Sequence, residues 1–544
     1  MKTQESKGTS KRWAVTLLAI GLAIPAAFGR SPKIAKDLDT AKTTAVDVIV
    51  QFSVTRTSKQ DTLVTQKGGS LKGALSVNSK AAVYTIAPSQ LESLCASSDV
   101  KYITPNRKVL GNDVYTNEAS NATAAQSYGW NGAGVGVAII DSGTSAMPDF
   151  DSRIVYSQTF VAEKADEIYG HGTHVSGIVA GNGSTYKGIA PAAKIVSLRV
   201  LDDTGSGTDA NVIAAIDRAI ELKAAYNIRV MNLSLGRSVQ ESYTLDPLCQ
   251  AAERAWKAGI VVVTAAGNFG RYTSTNGYAT IGAPGNDPFV ITVGAMKAMQ
   301  TFGRSDDRMA SYSSKGPSLI DHVIKPDLVA PGNKVISQDT KGASLLGDKL
   351  LGNLVGSNYL VLSGTSMSAP AVSGAVALLL QKTPALTPNQ VKARLMKTAY
   401  KQFPASSSWT DIDTGTTYTS YYDIFTVGAG YLDITAALAS TNLTTASSAT
   451  PLSPVAVYDS ASGTVKMVNG SSLVWGDSLV WGESLVWGDS LVWGDSLVWG
   501  DSLVWGGSTT SGFSLVWGDS LAWIASLVWG DNVTASAILA NGDR

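Results

Sequence analysis

The sequence predicts an α/β domain with a mainly parallel sheet and helices on both faces, preceded by a small α+β unit and followed by a repeat tail. Three observations predict it. From Gly129 onward, short apolar runs alternate with helical stretches. Those runs are continuously apolar, as strands covered on both faces are. Before Leu110 the pattern differs: a partly alternating strand, a short helix and two further strands, enough for a unit of their own.

Bulk composition narrows the function. At 544 residues the chain exceeds one ordinary domain. Charge balances at 43 basic against 43 acidic residues, so no large basic surface is implied and nucleic acid is not expected as a partner. With 53 glycines and only 16% charged residues, the composition suits a compact, loop-rich enzyme rather than a disordered chain.

Residues 1–29 read as a secretory signal. Lys2, Lys7, Lys11 and Arg12 form a basic start, Trp13 to Phe28 is apolar with Pro25 near its end, and Ala27-Phe28-Gly29 offers small residues where a signal peptidase reads. The competing reading is a retained membrane anchor, but the run is shorter than the roughly 20 residues a span needs. A secreted or envelope-associated, extracytoplasmic location is therefore expected. Residues 30–44 are a polar segment. The α+β unit, 45–110, has strands at Val46–Phe52, Ala82–Ile86 and Val100–Ile103, with a helix at Pro88–Leu94.

The main domain, 111–440, has strands at Val135–Ile140, Ile195–Val200, Val230–Ser234, Ile260–Ala265 and Phe289–Val293. Helices are predicted at Asp209–Tyr226, Leu248–Lys257 and Ala371–Leu380, and a last one reaches about Ser440. In open parallel sheets, sites form beyond the carboxyl ends of the strands, which is where Asp141 and Asn268 fall. Residues 441–471, rich in Ser, Thr and Ala, read as a linker. From 472 to 531 runs a hexad, Ser-Leu-Val-Trp-Gly-Asp, ten units long with Ser508–Phe513 and Ser520–Ala525 degenerate; 532–544 closes the chain. Nine of the 13 tryptophans lie in the hexads, and the even period puts Leu, Trp and Asp on one side of an extended chain. A β-solenoid, a stacked strand array or a disordered tail all fit, serving as an envelope stalk, an aromatic surface for polysaccharide, or a tail trimmed after export.

Three segments carry chemistry: Asp141-Ser142-Gly143, His171-Gly172-Thr173-His174 and Gly364-Thr365-Ser366-Met367-Ser368-Ala369-Pro370. A serine hydroxyl becomes a nucleophile only with a base in hydrogen-bond reach, and the base needs a group that fixes its tautomer. The chain has only three histidines, His171, His174 and His322, and two share one motif, so the choice of base is narrow. His322 sits among polar loop residues and is expected to be exposed. Cys95 and Cys249 lie in different units, have no neighbours of a catalytic thiol, and read as small apolar residues without a disulfide.

The chain order Asp, His, Ser, with these local contexts and Ala265-Ala266-Gly267-Asn268, resembles the subtilisin-like serine proteases, the subtilases of peptidase family S8. The resemblance spans about residues 45–440. It implies Ser366 as nucleophile, His171 as general base and then acid, and Asp141 as the orienting carboxylate. It implies Asn268 as oxyanion donor beside the backbone N–H of Ser366, and His174 as structural. Ser234-Leu235-Gly236 and Gly205-Ser206-Gly207 correspond to the two edges between which a protein or peptide substrate adds as a strand. Residues 45–110 correspond to a ferredoxin-like prosegment that assists folding and then inhibits its own enzyme. Its end matches Pro105–Leu110, with the maturation cut between Lys108 and Ala119. The chemistry requires no cofactor. A structural calcium ion is admitted, with the metal ligands left open: Asp149 is a candidate carboxylate, but loop Gly181–Lys187 is shorter than the family's calcium-wrapping version. After Pro370 this chain carries Ala371 where many relatives have His. The expected function is a secreted serine endopeptidase working through an acyl-enzyme and made as a self-inhibited precursor. The alternative is an envelope-associated binding or structural protein that uses its Trp-rich repeats, with proteolysis secondary.

Overall fold

The computed structural model describes residues 31–35, 38, 40–74, 80–105, 113–162, 167–299, 301–340, 344–441, 452–459, 464–468 and 538–543. The expected signal (1–29) and hexad repeats (472–531) lie outside the described residues. The chain divides into two units, residues 1–110 and 111–544.

The first unit runs β1 (Val46–Phe52), α1 (Ser58–Thr65), β2 (Ser70–Ala74), β3 (Ala81–Ile86), α2 (Leu91–Cys95) and β4 (Val100–Pro105). Its strands form one antiparallel sheet in the order β2-β3-β1-β4, the βαββαβ arrangement of ferredoxin-like folds. Val48, Val50 and Phe52 point inward at every second position and meet Tyr84, Ile86, Leu91, Leu94 and Ile103 in a core of its own. Helix α1 begins at a capping box in which Thr57 and Gln60 satisfy each other's backbone N–H groups. Neither α1 nor β2 was expected from the sequence. Strand β2 lies at the sheet edge with no buried residue, so it carries no alternation to read.

In the second unit, α3 (Asp113–Ala119) and α4 (Ala122–Ser127) lead into β5 (Gly136–Asp141), β6 (Ile154–Thr159), α5 (His171–Ala180), β7 (Lys194–Arg199), α6 (Asp209–Tyr226), β8 (Ile228–Leu233), α7 (Pro247–Lys257), β9 (Val261–Ala265) and β10 (Ile291–Lys297). Then come β11 (Arg308–Met309), β12 (Leu328–Pro331), β13 (Val335–Gln338), α8 (Leu345–Lys349), β14 (Leu354–Val355), β15 (Tyr359–Leu362) and α9 (Thr365–Lys382). The unit continues with α10 (Pro388–Thr398), the hairpin β16 (Ser406–Thr410) and β17 (Thr417–Tyr421), α11 (Ile424–Val427), α12 (Ile434–Ala439), and a second hairpin, β18 (Val455–Asp459) and β19 (Thr464–Val468).

The main sheet is ordered β11-β10-β9-β8-β5-β7-β6 with β12 beside β10, and every pairing is parallel except that of β11. Helices α5 and α9 pack together on one face, α6 and α7 on the other. All six residues of β5 are buried, as the continuous apolar runs required. Chain order reverses at β5: later strands build outward on both sides, which opens the crevice characteristic of a topological switch point.

Residues 452–459 and 464–468 correct the linker reading in part. Ser453 is buried, Val455 bridges Val323, and the amides of Ile324 and Ala456 bond Pro454 O (2.8 Å) and His322 O (2.9 Å). The same contact explains why His322 is half-buried rather than exposed. Both cysteines are free and buried.

Candidate active site

The register aligns the carboxyl ends of the central strands. Asp141 pairs with Arg199, and Ile140 with both Leu198 and Leu233, so whatever follows β5, β7 and β8 emerges at one level. Asp141 is fully buried, and its Oδ1 accepts hydrogen bonds from Ser142 N (2.7 Å) and His171 Nδ1 (2.7 Å). Helix α5 starts at His171 itself. It reaches Asp141 because residue 172 is glycine: a Cβ there would lie 2.1 Å from Gly143 O. The Gly172 N–H instead bonds Ser142 Oγ (2.8 Å).

Burial opposes protonation of His171, but the charge and hydrogen bond of Asp141, aided by Glu167, outweigh it and raise the imidazole above its ordinary pKa. His174 goes the other way. Burial first, and the neighbouring His171 second, bring it down to about 3. Its Nε2 faces the carbonyls of Leu360 (2.9 Å) and Val335 (3.2 Å), so a neutral, Nε2-protonated ring ties α5 to β13 and β15.

Glu167 was not singled out from the sequence. It is buried, and its carboxylate gathers Ser142 Oγ (3.1 Å), Gly170 N (2.5 Å) and Thr173 Oγ1. It therefore binds the turn after Asp141 to the first turn of α5, which fixes how the two triad candidates approach. Burial, with a smaller contribution from Asp141, raises it to about 7 against the pull of its three donors. An acidic residue four positions before His171 was the only signal.

Ser366 is the second residue of α9, so its amide has no helical acceptor. Pro370, four residues on, has no N–H to offer the Ser366 carbonyl. Ser234 Oγ supplies the missing donor (2.8 Å), and Ser366 Oγ in turn donates to Ser234 O (3.1 Å). The nucleophile candidate thus directs its proton to Ser234 rather than to His171 in this state. Asn232 Nδ2 holds Ser234 Oγ (2.9 Å), and Ser373 Oγ holds Asn232 Oδ1 (2.8 Å). On the other side Asn268 Oδ1 accepts from Thr365 N (2.9 Å) and Thr365 Oγ1 (3.1 Å). That fixes the amide so that Nδ2, without a partner among the described residues, is free to donate.

The two expected substrate edges differ in state. Ser234-Leu235-Gly236 continues from β8, and Leu235 and Gly236 make no backbone hydrogen bond among the described residues. Gly205-Ser206-Gly207 closes on itself: Asp202 N bonds Ser206 O (2.7 Å), and Asp202 Oδ1 accepts from Ser206 N (2.9 Å). For a cation, Asp149 is a poor fit, because its Oδ2 is occupied by Gln338 Nε2 (2.9 Å) and Tyr359 OH (2.7 Å). Among the described residues no three His, Cys, Asp or Glu side chains converge as metal ligands. None of the described helices is long and apolar enough to cross a membrane.

The Subtilase family profile matches residues 132–453. Serine protease AprX of Bacillus subtilis (strain 168) is 38% identical over 329 residues, covering 57% of this chain and 72% of that protein. Subtilisin E of the same organism is 32% identical over 403 residues, covering 72% of this chain and 94% of that protein. The thermostable alkaline protease of Halalkalibacterium halodurans is 33% identical over 316 residues, covering 57% and 75% respectively.

Proposed function

The chain belongs to the Subtilase family and is a serine endopeptidase, and from that premise we propose that Asp141, His171 and Ser366 form its catalytic triad, with Asn268 as oxyanion donor. The observation that carries this reading is the buried Asp141–His171 hydrogen bond at 2.7 Å. It fixes the imidazole with Nδ1–H toward the carboxylate, which leaves Nε2 as the base.

An extended peptide adds along Ser234-Leu235-Gly236, where the backbone of Leu235 and Gly236, unpaired among the described residues, supports strand addition. A substrate N–H offered to Ser234 O takes the place of the Ser366 hydroxyl, which turns to His171. Oγ attacks the scissile carbonyl as its proton passes to Nε2. The developing oxyanion takes hydrogen bonds from Asn268 Nδ2 and Ser366 N–H, helped by the positive end of α9. His171 then protonates the leaving amine, and water repeats the sequence on the acyl-enzyme. The backbone-dominated contact favours loose specificity. Gly205-Ser206-Gly207 is the opposing edge.

The first unit, with its own antiparallel sheet and core, supports a role as a prosegment that is cut away between Lys108 and Ala119, and the basic-apolar start supports export. The test is incubation of the full precursor, wild type and Ser366→Ala, with N-terminal sequencing over time. Self-cleavage in that window by wild type alone supports both assignments. Equal behaviour of the two would remove Ser366 from maturation.

A further inference from the structure

One buried segment has no part in this chemistry. Ile538–Asn541 make a single helical turn closed by Gly542, whose N–H bonds Ile538 O (2.8 Å) and whose φ of 55° is left-handed. Ile538 packs with Ala295, Ala310 and Tyr312. Asp543 is 1% exposed. Its Oδ1 accepts from Arg271 Nη2 (2.9 Å) and Ser311 Oγ (2.6 Å), and its Oδ2 from Ser311 N (2.8 Å). Asn333 matches its backbone, taking Asp543 N on Oδ1 (2.8 Å) and giving Nδ2 to Asp543 O (3.2 Å). Ser363 N donates to Leu539 O (2.9 Å), and Asn353 Nδ2 to Ala540 O. The fit is close: a Cβ on Gly542 would stand 2.2 Å from Asn333 Oδ1 and 2.4 Å from Ser363 Oγ.

Two of these partners flank the active site. Arg271 lies three residues after Asn268, and Ser363 three residues before Ser366. Three consecutive amides leading to the nucleophile are each held from outside: Ser363 by Leu539 O (2.9 Å), Gly364 by Gly332 O (2.9 Å) and Thr365 by Asn268 Oδ1 (2.9 Å). The first of these restraints comes from the 538–543 segment. The same segment holds Arg271, which is also braced by Ser311 Oγ (2.8 Å) and by the Trp409 ring, 4.2 Å away.

We infer that Ile538–Asp543 is an intramolecular clip that positions the loops carrying Asn268 and Ser366; this rests on the catalytic roles proposed above. The clip is a peptide ligand supplied by the chain itself. Its receptor reads an aliphatic residue at the start, a glycine at a left-handed turn with no room for a Cβ, and a carboxylate matched to Arg271.

The test uses the full chain with Gly542→Ala and Asp543→Ala, and with Asp543→Asn as the milder variant should the others fold poorly. In a Ser366→Ala background, which cannot cut itself through this serine, hydrogen exchange at Ser311 and Ser363 should quicken about tenfold or more while β5 and β8 stay unchanged. In the active chain, kcat on a chromogenic peptide anilide should fall about fivefold or more with KM within about twofold. In an Asn268→Ala background the same variants should cost kcat about half the fold-loss or less, because one of the two groups they position is already gone. Unchanged exchange at Ser311 and Ser363 overturns the docking. Quickened exchange with kcat unaffected overturns the positioning role, and equal losses in both backgrounds overturn the positioning of Asn268. Failure of the underlying catalytic reading shows separately, as activity retained by Ser366→Ala alone.

Discussion

Asn268 and Glu167 bear on the proposed centre by different means. Asn268 is held by its oxygen so that its nitrogen can donate, and Asn268→Ala is expected to lower kcat by about 10²–10³ with little change in KM, a magnitude known from subtilisin, checked by steady-state kinetics on a peptide anilide. Glu167 acts on the approach of Asp141 to His171, and its raised pKa carries a signature. A carboxyl at about 7 in the fold and 4.5 unfolded holds its proton more tightly when folded. It therefore stabilises at low pH, and that stability is lost as pH rises through this window. His174, at about 3 folded against 6.5 unfolded, does the opposite and costs stability as pH falls below about 6.5. Between roughly pH 4.5 and 6.5 the two slopes oppose each other. Glu167→Gln should unmask the His174 slope, making stability rise more steeply with pH there by about 1.4 kcal/mol per unit, measured by urea denaturation across that range. The triad candidates and Asn268 were legible because each sits in a distinctive local motif. Glu167 and the Ser234 hydroxyl were not. Pro370 does announce that the Ser366 carbonyl needs a donor, but the donor lies 132 residues away and only the fold names it.

At the scale of elements, the strands read from continuous apolar runs are those buried on both faces, and two of the missed ones, β2 and β6, lie at sheet edges. Strand β6, only half-buried along its length, has neither a continuous run nor a clean alternation. Strand β12 was missed for another reason: it is four residues long and follows a charged cluster that looks like a surface loop. Lys325, Asp327 and Lys392 are instead fully buried, with Asp327 Oδ2 on Lys325 Nζ (2.7 Å) and Oδ1 near Lys392 Nζ (3.1 Å). Thr292 N (2.8 Å) and Ser453 Oγ (2.6 Å) complete the carboxylate. Burial brings Lys392 down to about 7 even with Asp327 beside it. Asp327→Ala would strand two buried ammonium groups, and we expect a loss of about 3–5 kcal/mol, seen as a lower urea midpoint.

At the scale of the molecule, the parallel sheet and its two helical faces followed from periodicity, and the first unit's sheet from three of its four strands. The docking of Ser453–Ala456 and Ile538–Asp543 did not, since short Ser- and Ala-rich segments carry no period and their partners are distant in sequence. Together they alter what the repeats are. Along the sequence the hexads look like an appendage, but the chain on either side of them is fastened to the same unit, once beside β12 and once between the loops that carry Asn268 and Ser366. A pull on the repeats is thus shared by two anchors, and one of them is Leu539 on Ser363. Tension would reach the turn that carries Ser366 without passing through the sheet. A full chain immobilised by its repeats and stretched in flow is expected to cleave a peptide anilide more slowly than the same chain left slack, so that cutting reports mechanical load.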